Sequence, residues 1–282
     1  MRENKVNADG LTEAEFLAAY KPGDYERPSV TVDMMVLRMK EDLSGLQILL
    51  IQRKNHPCID CWALPGGFVD MTESTYEAAV RELKEETHFD ATDVYMEQLY
   101  TMSQPDRDPR MRIIDVAYIA MLPYGHKSEV AAGDDAKSAV WFDVDFDGCS
   151  RMRLSDGTGV SLEYDVVKKT FRNGKLKIES YIPVLSNNST DVLAFDHSEI
   201  ILEGLRRIQN KVEYTDIIFN LVPDEFTLPD LQRVYETLMC KALYKSNFRD
   251  KIIHKIIESG NKSKPMSSNR MAKLYVYNGG VK

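Results

Sequence analysis

The sequence predicts a mixed α+β fold, with helices packed on a largely antiparallel or mixed sheet, followed by a small helical domain that ends in a hairpin. Three observations carry this expectation. Six segments rich in β-branched and aromatic residues, bounded by Gly, Pro, Asp or Asn, fall between residues 30 and 142. A single helical segment interrupts them. From residue 196 onward apolar residues recur at helical spacing and lead into a basic C-terminal stretch.

In order along the chain, residues 12–20 read as a short helix. Strands follow at 30–38, 46–53, 62–69, 95–102, 112–122 and 139–142. The helix between the third and fourth spans roughly 75–87, and Ser74 with Glu77 has the spacing of a capping box at its start. Residues 145–193 carry turn signals at Asp156-Gly157 and Asn173-Gly174 beside alternating segments at 160–167 and 175–183, so one or two hairpins are expected. Asp196 and Glu199 can cap a helix bearing Ile200, Ile201, Leu205, Ile208 and Val212. Thr227 opens another with Leu231, Val234, Tyr235, Leu238 and Met239, and a third is expected over about 246–257. A turn-rich stretch at 259–269 precedes a last strand at 272–277. The expected organisation is a lead-in (1–28), a main domain (29–212, with an insertion at 145–192) and a second domain (213–282).

Composition excludes several classes. Of 282 residues, 43% are hydrophobic and 28% charged, as in a globular chain rather than a disordered one. The longest apolar run, residues 116–122, is far too short to span a bilayer. The polar N-terminus lacks a signal-peptide core, and 4 cysteines make no disulfide framework, so a cytoplasmic protein with no membrane partner is expected. Charge is divided unevenly. The chain carries 36 Lys+Arg against 44 Asp+Glu, yet residues 240–282 hold ten basic residues and only Asp250 and Glu258. A basic tail on an acidic body points to two jobs, one of them a candidate for nucleic acid.

Glu82, Glu85 and Glu86 stand at i, i+3 and i+4, so a helix presents all three carboxylates on one face. Like charges so close repel unless cations neutralise them, and hard oxygen ligands suit Mg²⁺ or Mn²⁺ beside a diphosphate. Taken alone, a Glu-rich helix is more often a solvated face. The surroundings decide otherwise. Gly67, then Glu73, Arg81-Glu82-Leu83, Glu85-Glu86 and Thr87, preceded by residues 62–69 (WALPGGFV), resemble the Nudix box at its fixed spacing. The resemblance implies an α/β/α sandwich with a mixed sheet and a metal-dependent hydrolase that cleaves nucleoside diphosphates linked to another moiety. It implies Glu82, Glu85 and Glu86 as metal ligands, with Glu85 also a candidate to polarise the attacking water, and Arg81 paired with Glu73 to orient them. Gly66 and Gly67 would let the backbone approach metal or phosphate. His88 departs from the family's usual glycine, a change expected to affect stability more than chemistry.

The resemblance extends further. Residues 105–118, with Gly133-Asp134-Asp135, Trp141-Phe142 and 193–197 (LAFDH), are similar to ADP-ribose pyrophosphatases and to Nudix-related transcriptional regulators that append a C-terminal winged helix, and residues 226–235 with 247–249 of this chain resemble that winged helix. Candidate phosphate contacts are Arg53, Arg107, Arg110 and Arg112, since guanidinium groups bind phosphate bidentately. His197 is expected to pack or cap, and Cys58 and Cys61, despite C-x-x-C spacing, to be incidental. On a recognition helix from about 246, Asn247, Arg249, Lys251 and Lys255 would face DNA, with Lys264 and Arg270 on the wing. The resemblance thus implies hydrolysis of ADP-ribose or a related nucleoside diphosphate as the first expectation. The alternative is a DNA-binding regulator of NAD or sugar metabolism that senses such a ligand. A homodimer is expected for either.

Overall fold

The computed structural model describes residues 5–21, 23, 26–87, 94–125, 136–266 and 269–279, without the side chains of Glu86 and Thr87. His88 and residues 133–135, singled out above, lie outside the described residues.

Helix α1 (Glu13–Ala19) is opened by Thr12, whose hydroxyl accepts from the Glu15 N–H while the Glu15 carboxylate accepts from the Thr12 N–H. The strands β1 (Ser29–Met39), β2 (Leu46–Arg53), β3 (Trp62–Ala63), β4 (Gly66–Phe68), β5 (Tyr95–Met102), β6 (Ile113–Met121), β7 (Ala136–Phe146), β8 (Arg151–Ser155), β9 (Ser161–Asn173) and β10 (Leu176–Leu185) form one mixed sheet. Its order is β10-β9-β8-β7-β2-β1-β6-β5, with β3 paired to β2 and β4 to β1. β1 and β6 pair in parallel, while the other described pairs of this sheet are antiparallel.

Helix α2 (Thr75–Thr87) covers one face and α3 (His197–Lys211) the other. Alternate residues of β1 serve the two layers, because successive side chains of a strand point to opposite faces. Val32, Met34 and Val36 pack with Ala78, Ala79 and Leu83 of α2, whereas Met35 and Leu37 belong to the core containing Ile200, Ile201, Leu205 and Ile208 of α3. A strand buried on both faces reads as a continuous apolar run, as β1 does. The Ser74–Glu77 capping box closes as expected: the Ser74 N–H donates to the Glu77 carboxylate at 2.7 Å and the Glu77 N–H to Ser74 Oγ at 3.2 Å.

Two sequence expectations change. The single strand expected over 62–69 is broken at Leu64-Pro65. Trp62 pairs with Gln52 of β2, but Gly66 pairs with Asp33 of β1, so the chain crosses from one strand to its neighbour. Pro65 has no N–H to continue a ladder, and its carbonyl accepts from the Met34 N–H at 2.7 Å. The second change is in the C-terminal part. A 3₁₀ turn (Ile217–Leu221) leads to β11 (Phe226–Thr227), α4 (Leu228–Met239), α5 (Lys245–Ile252), β12 (Ile256–Ser263) and β13 (Ala272–Tyr277), with a small sheet ordered β11-β13-β12. The helix expected to reach 257 stops at Ile252. Ile256 and Ile257 enter β12 because β13 offers them an antiparallel ladder, with Ile256 opposite Tyr277 and Ile257 opposite Val276. Helical periodicity among β-branched residues yields to a partner strand.

This winged domain sits on one end of the large sheet. The Arg233 guanidinium donates to the Asp42 carbonyl in the β1–β2 turn at 3.2 Å, and the Gln209 amide on α3 donates to the Met239 carbonyl at 3.1 Å. Leu46, Val144, Phe146, Leu205 and Ile208 face Thr237, Leu238 and Cys240 across the contact. Within the domain, buried Thr227 caps α4: its hydroxyl accepts from the Asp230 N–H at 3.2 Å and donates to Asp230 Oδ2 at 2.7 Å. Asp230 Oδ1 in turn accepts from the Met266 N–H at 2.9 Å, which ties the wing to α4. Thr227→Ala is therefore expected to destabilise the C-terminal domain by about 1–2 kcal/mol; an unchanged urea midpoint would show that this cap does not hold the domain.

Candidate ligand cleft and nucleic-acid surface

The end of the sheet opposite the winged domain carries a cleft of about 1130 Å³. Helix α2 turns Arg81, Glu82 and Glu85 toward it. Arg81 organises the wall: its guanidinium donates to both Glu73 oxygens (2.7 and 3.2 Å), to Glu82 Oε1 (2.7 Å), to Glu85 Oε2 (3.2 Å) and to the Phe68 carbonyl (3.1 Å). The ion pair expected between Arg81 and Glu73 is present, and it holds the Glu73 carboxyl below its usual range. Glu82 is buried, and that burial pushes its carboxyl up, against the opposing pull of Arg81.

Gly66 and Gly67 lie against these groups. A Cβ on Gly67 would stand 2.2 Å from Glu82 Oε1, and one on Gly66 would stand 2.1 Å from the Val32 carbonyl oxygen and 2.7 Å from Asp33 Oδ1. At Gly66 the obstacle is backbone, so that position requires glycine; at Gly67 it is the Glu82 carboxylate, which a side chain would push aside. The donor set fits a hard divalent cation such as Mg²⁺ or Mn²⁺: one guanidinium faces three carboxylates, and Glu82 is buried with its charge only partly offset. Among the described residues no three His, Cys, Asp or Glu side chains are so placed that they could together hold a metal ion. Glu86, on the same helix, has no described side chain.

Beneath the glycines lies a polar network that the sequence reading missed. Arg107, with a side chain only 5% exposed, donates to both oxygens of Asp196 at 2.9 and 2.6 Å and stands 3.6 Å from Asp33. Burial works to lower the Arg107 pKa, but Asp196 and the charges of Asp115 and Asp33 outweigh it and raise it. Asp115 is fully buried beside Asp33. It accepts from the Thr31 hydroxyl at 2.9 Å, and its pKa is driven well above the usual carboxylate range by desolvation and by Asp33. His197, expected to pack or cap, is buried. Its Nδ1 accepts from the Leu64 N–H at 2.9 Å while Nε2 lies 3.5 Å from Asp33, and burial holds it neutral. One signal was available: Asp33 and Asp115 each interrupt an otherwise apolar strand.

The arginines divide. Arg53 donates to the Pro57 carbonyl at 3.0 Å and lies over the Phe195 ring; Arg110 forks onto Asp108, with its guanidinium over the Phe68 and Phe195 rings. Both line the cleft, as do exposed Lys84 and His56. Arg107 lines it too, but its charge is committed to Asp196, which corrects the expectation of a free phosphate contact. The same pairing removes the Asp196 carboxylate from the expected capping box, and α3 begins without a side-chain cap bond. Arg112 is also corrected: it donates to the carbonyls of Ser103, Gln104 and Ile113, away from the cleft, and so fixes the 103–113 loop. Cys58 and Cys61 pack with Ile51, Ala63 and Ala136, and burial raises the Cys61 thiol, which disfavours its thiolate.

On the winged domain, Phe248 and Ile252 bury one side of α5 and leave Lys245, Asn247, Arg249 and Lys251 exposed. Lys264 and Arg270 are exposed on the wing. Lys255 does not join them. It pairs with Asp216 at 2.5 Å, whose other oxygen accepts from Tyr277 at 2.8 Å, so its charge is spent on the domain's own packing.

A box helix over a glycine pair on a mixed sheet, joined to a winged helix, defines a two-domain Nudix protein. Residues 27–146 match the NUDIX domain and residues 218–277 the NrtR DNA-binding winged helix domain. The ADPR responsive transcriptional repressor NtrR of Acinetobacter baylyi is 32% identical over 268 residues, covering 94% of this chain and 88% of the repressor. The chain belongs to this family of Nudix proteins with an NrtR-type winged helix. An ADP-ribose pyrophosphatase of Methanocaldococcus jannaschii is 43% identical over 120 residues, 43% of this chain and 64% of that enzyme. Among solved structures, a MutT/nudix family protein from Enterococcus faecalis superposes with a TM-score of 0.75 at 32% identity, covering 95% of this chain and 94% of that one. Shewanella oneidensis NrtR, also solved with a 27mer DNA, gives 0.57 at 26% identity, with 88% and 94% covered. No helix among the described residues is long and apolar enough to cross a membrane.

The buried acid pair makes a pH prediction. The folded-state pKa of Asp115 is raised, so the stability tied to its protonation is fully present below the unfolded value and is lost as pH rises through the folded one. Asp115→Asn is expected to flatten this loss, so its melting temperature relative to wild type should climb as pH rises above the ordinary carboxylate range. Parallel curves for the two proteins would show that Asp115 is not the titrating group.

Proposed function

We propose that this protein is a DNA-binding regulator whose Nudix cleft senses a nucleoside diphosphate of the ADP-ribose class. The observation that carries this reading is the placement of the two sites. The cleft lies at one end of the sheet, the winged helix at the other, and α3 runs between them. Asp196 and His197 at the start of α3 join the cleft network, and Gln209 near its end holds Met239 of α4. Fifteen residues of helix span about 22 Å. A ligand that shifts the Arg107–Asp196 pair therefore has a rigid element through which to bias the DNA-binding domain. The repressor from A. baylyi, similar along nearly the whole chain and named for its response to ADPR, supports this reading over the enzyme expectation.

The cleft has parts that suit such a ligand. Phe68 and Phe195 offer aromatic faces to a planar base, Arg53, Arg110 and Lys84 offer cations to phosphate, and the carboxylates of α2 would hold Mg²⁺ or Mn²⁺. A divalent cation there would screen the diphosphate and polarise it toward attack by water. The chain's own residues position it: Arg81 fixes Glu82 and Glu85, and Gly66 and Gly67 keep space open above them.

Hydrolysis is the second reading. It is favoured by the retained Glu73–Arg81–Glu82–Glu85 cluster and by the pyrophosphatase relative of M. jannaschii.

Fluorescence anisotropy with a mixed-sequence duplex and added ADP-ribose tests the first reading. ADP-ribose is expected to change the apparent DNA affinity by about fivefold or more. Binding of both ligands with no mutual effect would remove the sensing role. Arg249→Ala with Lys251→Ala is expected to weaken DNA binding and lower the slope of log affinity against log salt by about 2, while ADP-ribose binding is retained. Release of AMP from ADP-ribose with Mg²⁺, lost on Glu85→Gln while DNA binding is spared, would establish the hydrolase; no release from protein that binds ADP-ribose would dismiss it.

A further inference from the structure

The hairpin β9–β10 belongs to the insertion and has no part in the cleft. Its register is continuous from Leu185 opposite Tyr164 to Leu176 opposite Asn173, closed by a turn in which Gly174 takes φ 59°. The pairing also fixes its direction. β8 ends its contact with β9 where Arg151 faces Asp165, and the β7–β8 turn follows at 147–150. β9 therefore runs on past this turn for eight residues, Val166 to Asn173, or about 25 Å at strand rise. That turn is one part of the sheet end that touches the winged domain: a Cβ on Gly148 would meet Cys240 Cβ at 3.1 Å, beside Gln209 Nε2 of α3 at 2.8 Å. The hairpin thus projects from the Nudix sheet at the end that carries α4. Its stem is braced against α3, where the Arg206 guanidinium stacks 3.3 Å from the Tyr181 ring centroid.

The charge of this segment opposes that of its surroundings. Residues 166–178 hold Lys168, Lys169, Arg172, Lys175 and Lys177 and no acid, within a body that is otherwise strongly acidic. Every residue from 167 to 177 is exposed. Lys168 pairs with Glu179 at 2.7 Å, and Lys177 lies near the same carboxylate. Among the described residues Lys169, Arg172 and Lys175 form no salt bridge, and none of the three is needed to hold the hairpin together. Arg172 and Lys177 face each other on one side, Lys169 lies on the other beside Phe171, and Lys175 is in the turn. A folded element that carries unpaired cations on both sides and at its tip presents a surface for a polyanion.

We infer that this hairpin is a second DNA-contacting arm, gripping the phosphate backbone beside the duplex engaged by α5 and the wing. The inference rests on the regulator reading and extends it to a segment that the winged domain does not contain. A second copy of the chain is the less favoured occupant. A two-fold contact sets the same patch against itself, and the unpaired Lys169, Arg172 and Lys175 of each hairpin would repel their counterparts. Contacts to phosphate add affinity and salt dependence without sequence preference.

The test compares intact protein with the variant Lys169→Ala/Arg172→Ala/Lys175→Ala on a mixed-sequence duplex of about four helical turns, by anisotropy over a range of salt. The variant is expected to lose about tenfold or more in affinity near 0.1 M salt and to show a log–log salt slope smaller by about 2–3, with an unchanged melting temperature. Restoring charge with Lys169→Arg/Lys175→Arg should return both toward the intact values. Equal affinity and slope for the triple variant, with the intact protein binding well, would overturn the arm and leave the regulator reading standing. If the intact protein fails to bind the duplex at all, both fall together. If light scattering shows that the triple variant changes oligomeric state, and its loss of DNA binding follows that change, the hairpin is an interface between copies and the arm is again overturned.

Discussion

The Arg107 guanidinium joins four parts of the chain that are distant in sequence. It lies in the loop after β5, forks onto Asp196 at the start of α3, and balances Asp33 on β1 and Asp115 on β6. His197, the next residue after Asp196, holds the Leu64 N–H and so fixes the approach to Gly66 and Gly67. A buried cation among three carboxylates is tolerable only if the protons and hydrogen bonds are shared out, and here Asp115 is pushed toward its neutral form while Asp33 and Asp196 face the positive charge. The glycine pair, the floor of the cleft and the first turn of α3 all depend on that balance. Removing one partner would leave a buried charge uncompensated, whereas the exposed pairs elsewhere are screened by water.

The same arrangement explains how the chain keeps two opposite electrostatic surfaces apart. The cleft gathers carboxylates on α2, where Arg81 is set against Glu73, Glu82 and Glu85. The far end of the sheet carries the basic elements: exposed Lys245, Arg249 and Lys251 on α5, Lys264 and Arg270 on the wing, and the hairpin cations. Helix α3 lies between these ends and packs on both the sheet and α4. The acidic cleft and the basic surface therefore border the two ends of one rigid element without neutralising each other.

Particular elements show how far the sequence could be read. Strands at 46–53 and 95–102 and the box helix at 75–87 have the observed bounds, because their patterns and caps are local. The break at Leu64-Pro65 was not legible, since the identity of the strand that receives Gly66 depends on the sheet order. The end of α5 was misplaced for a related reason: Ile256 fits a helix face and a strand equally well until β13 is present beside it. Of the residues singled out in the sequence, Glu82, Glu85, Gly66, Gly67, Arg53 and Arg110 line the cleft. The charge partners of Arg107, Arg112 and Lys255 were not legible, because an arginine or lysine in a sequence does not disclose which carboxylate or carbonyl will take its charge.

The sequence by itself determined most of the elements, the family and the spacing of the box, since these rest on short-range periodicity, capping and fixed spacing. It also determined that one end of the chain is basic and the rest acidic. Only the tertiary structure decided which charges remain available. Pairing within the fold committed the charges of Arg107, Asp196, Arg112 and Lys255 to internal partners and brought Asp33 to the cleft with Asp115 buried beside it. It also carried the basic hairpin to the winged end of the molecule. The physical reason is that burial and charge pairing act through space, between residues whose separation along the chain contains no record of their distance in the fold.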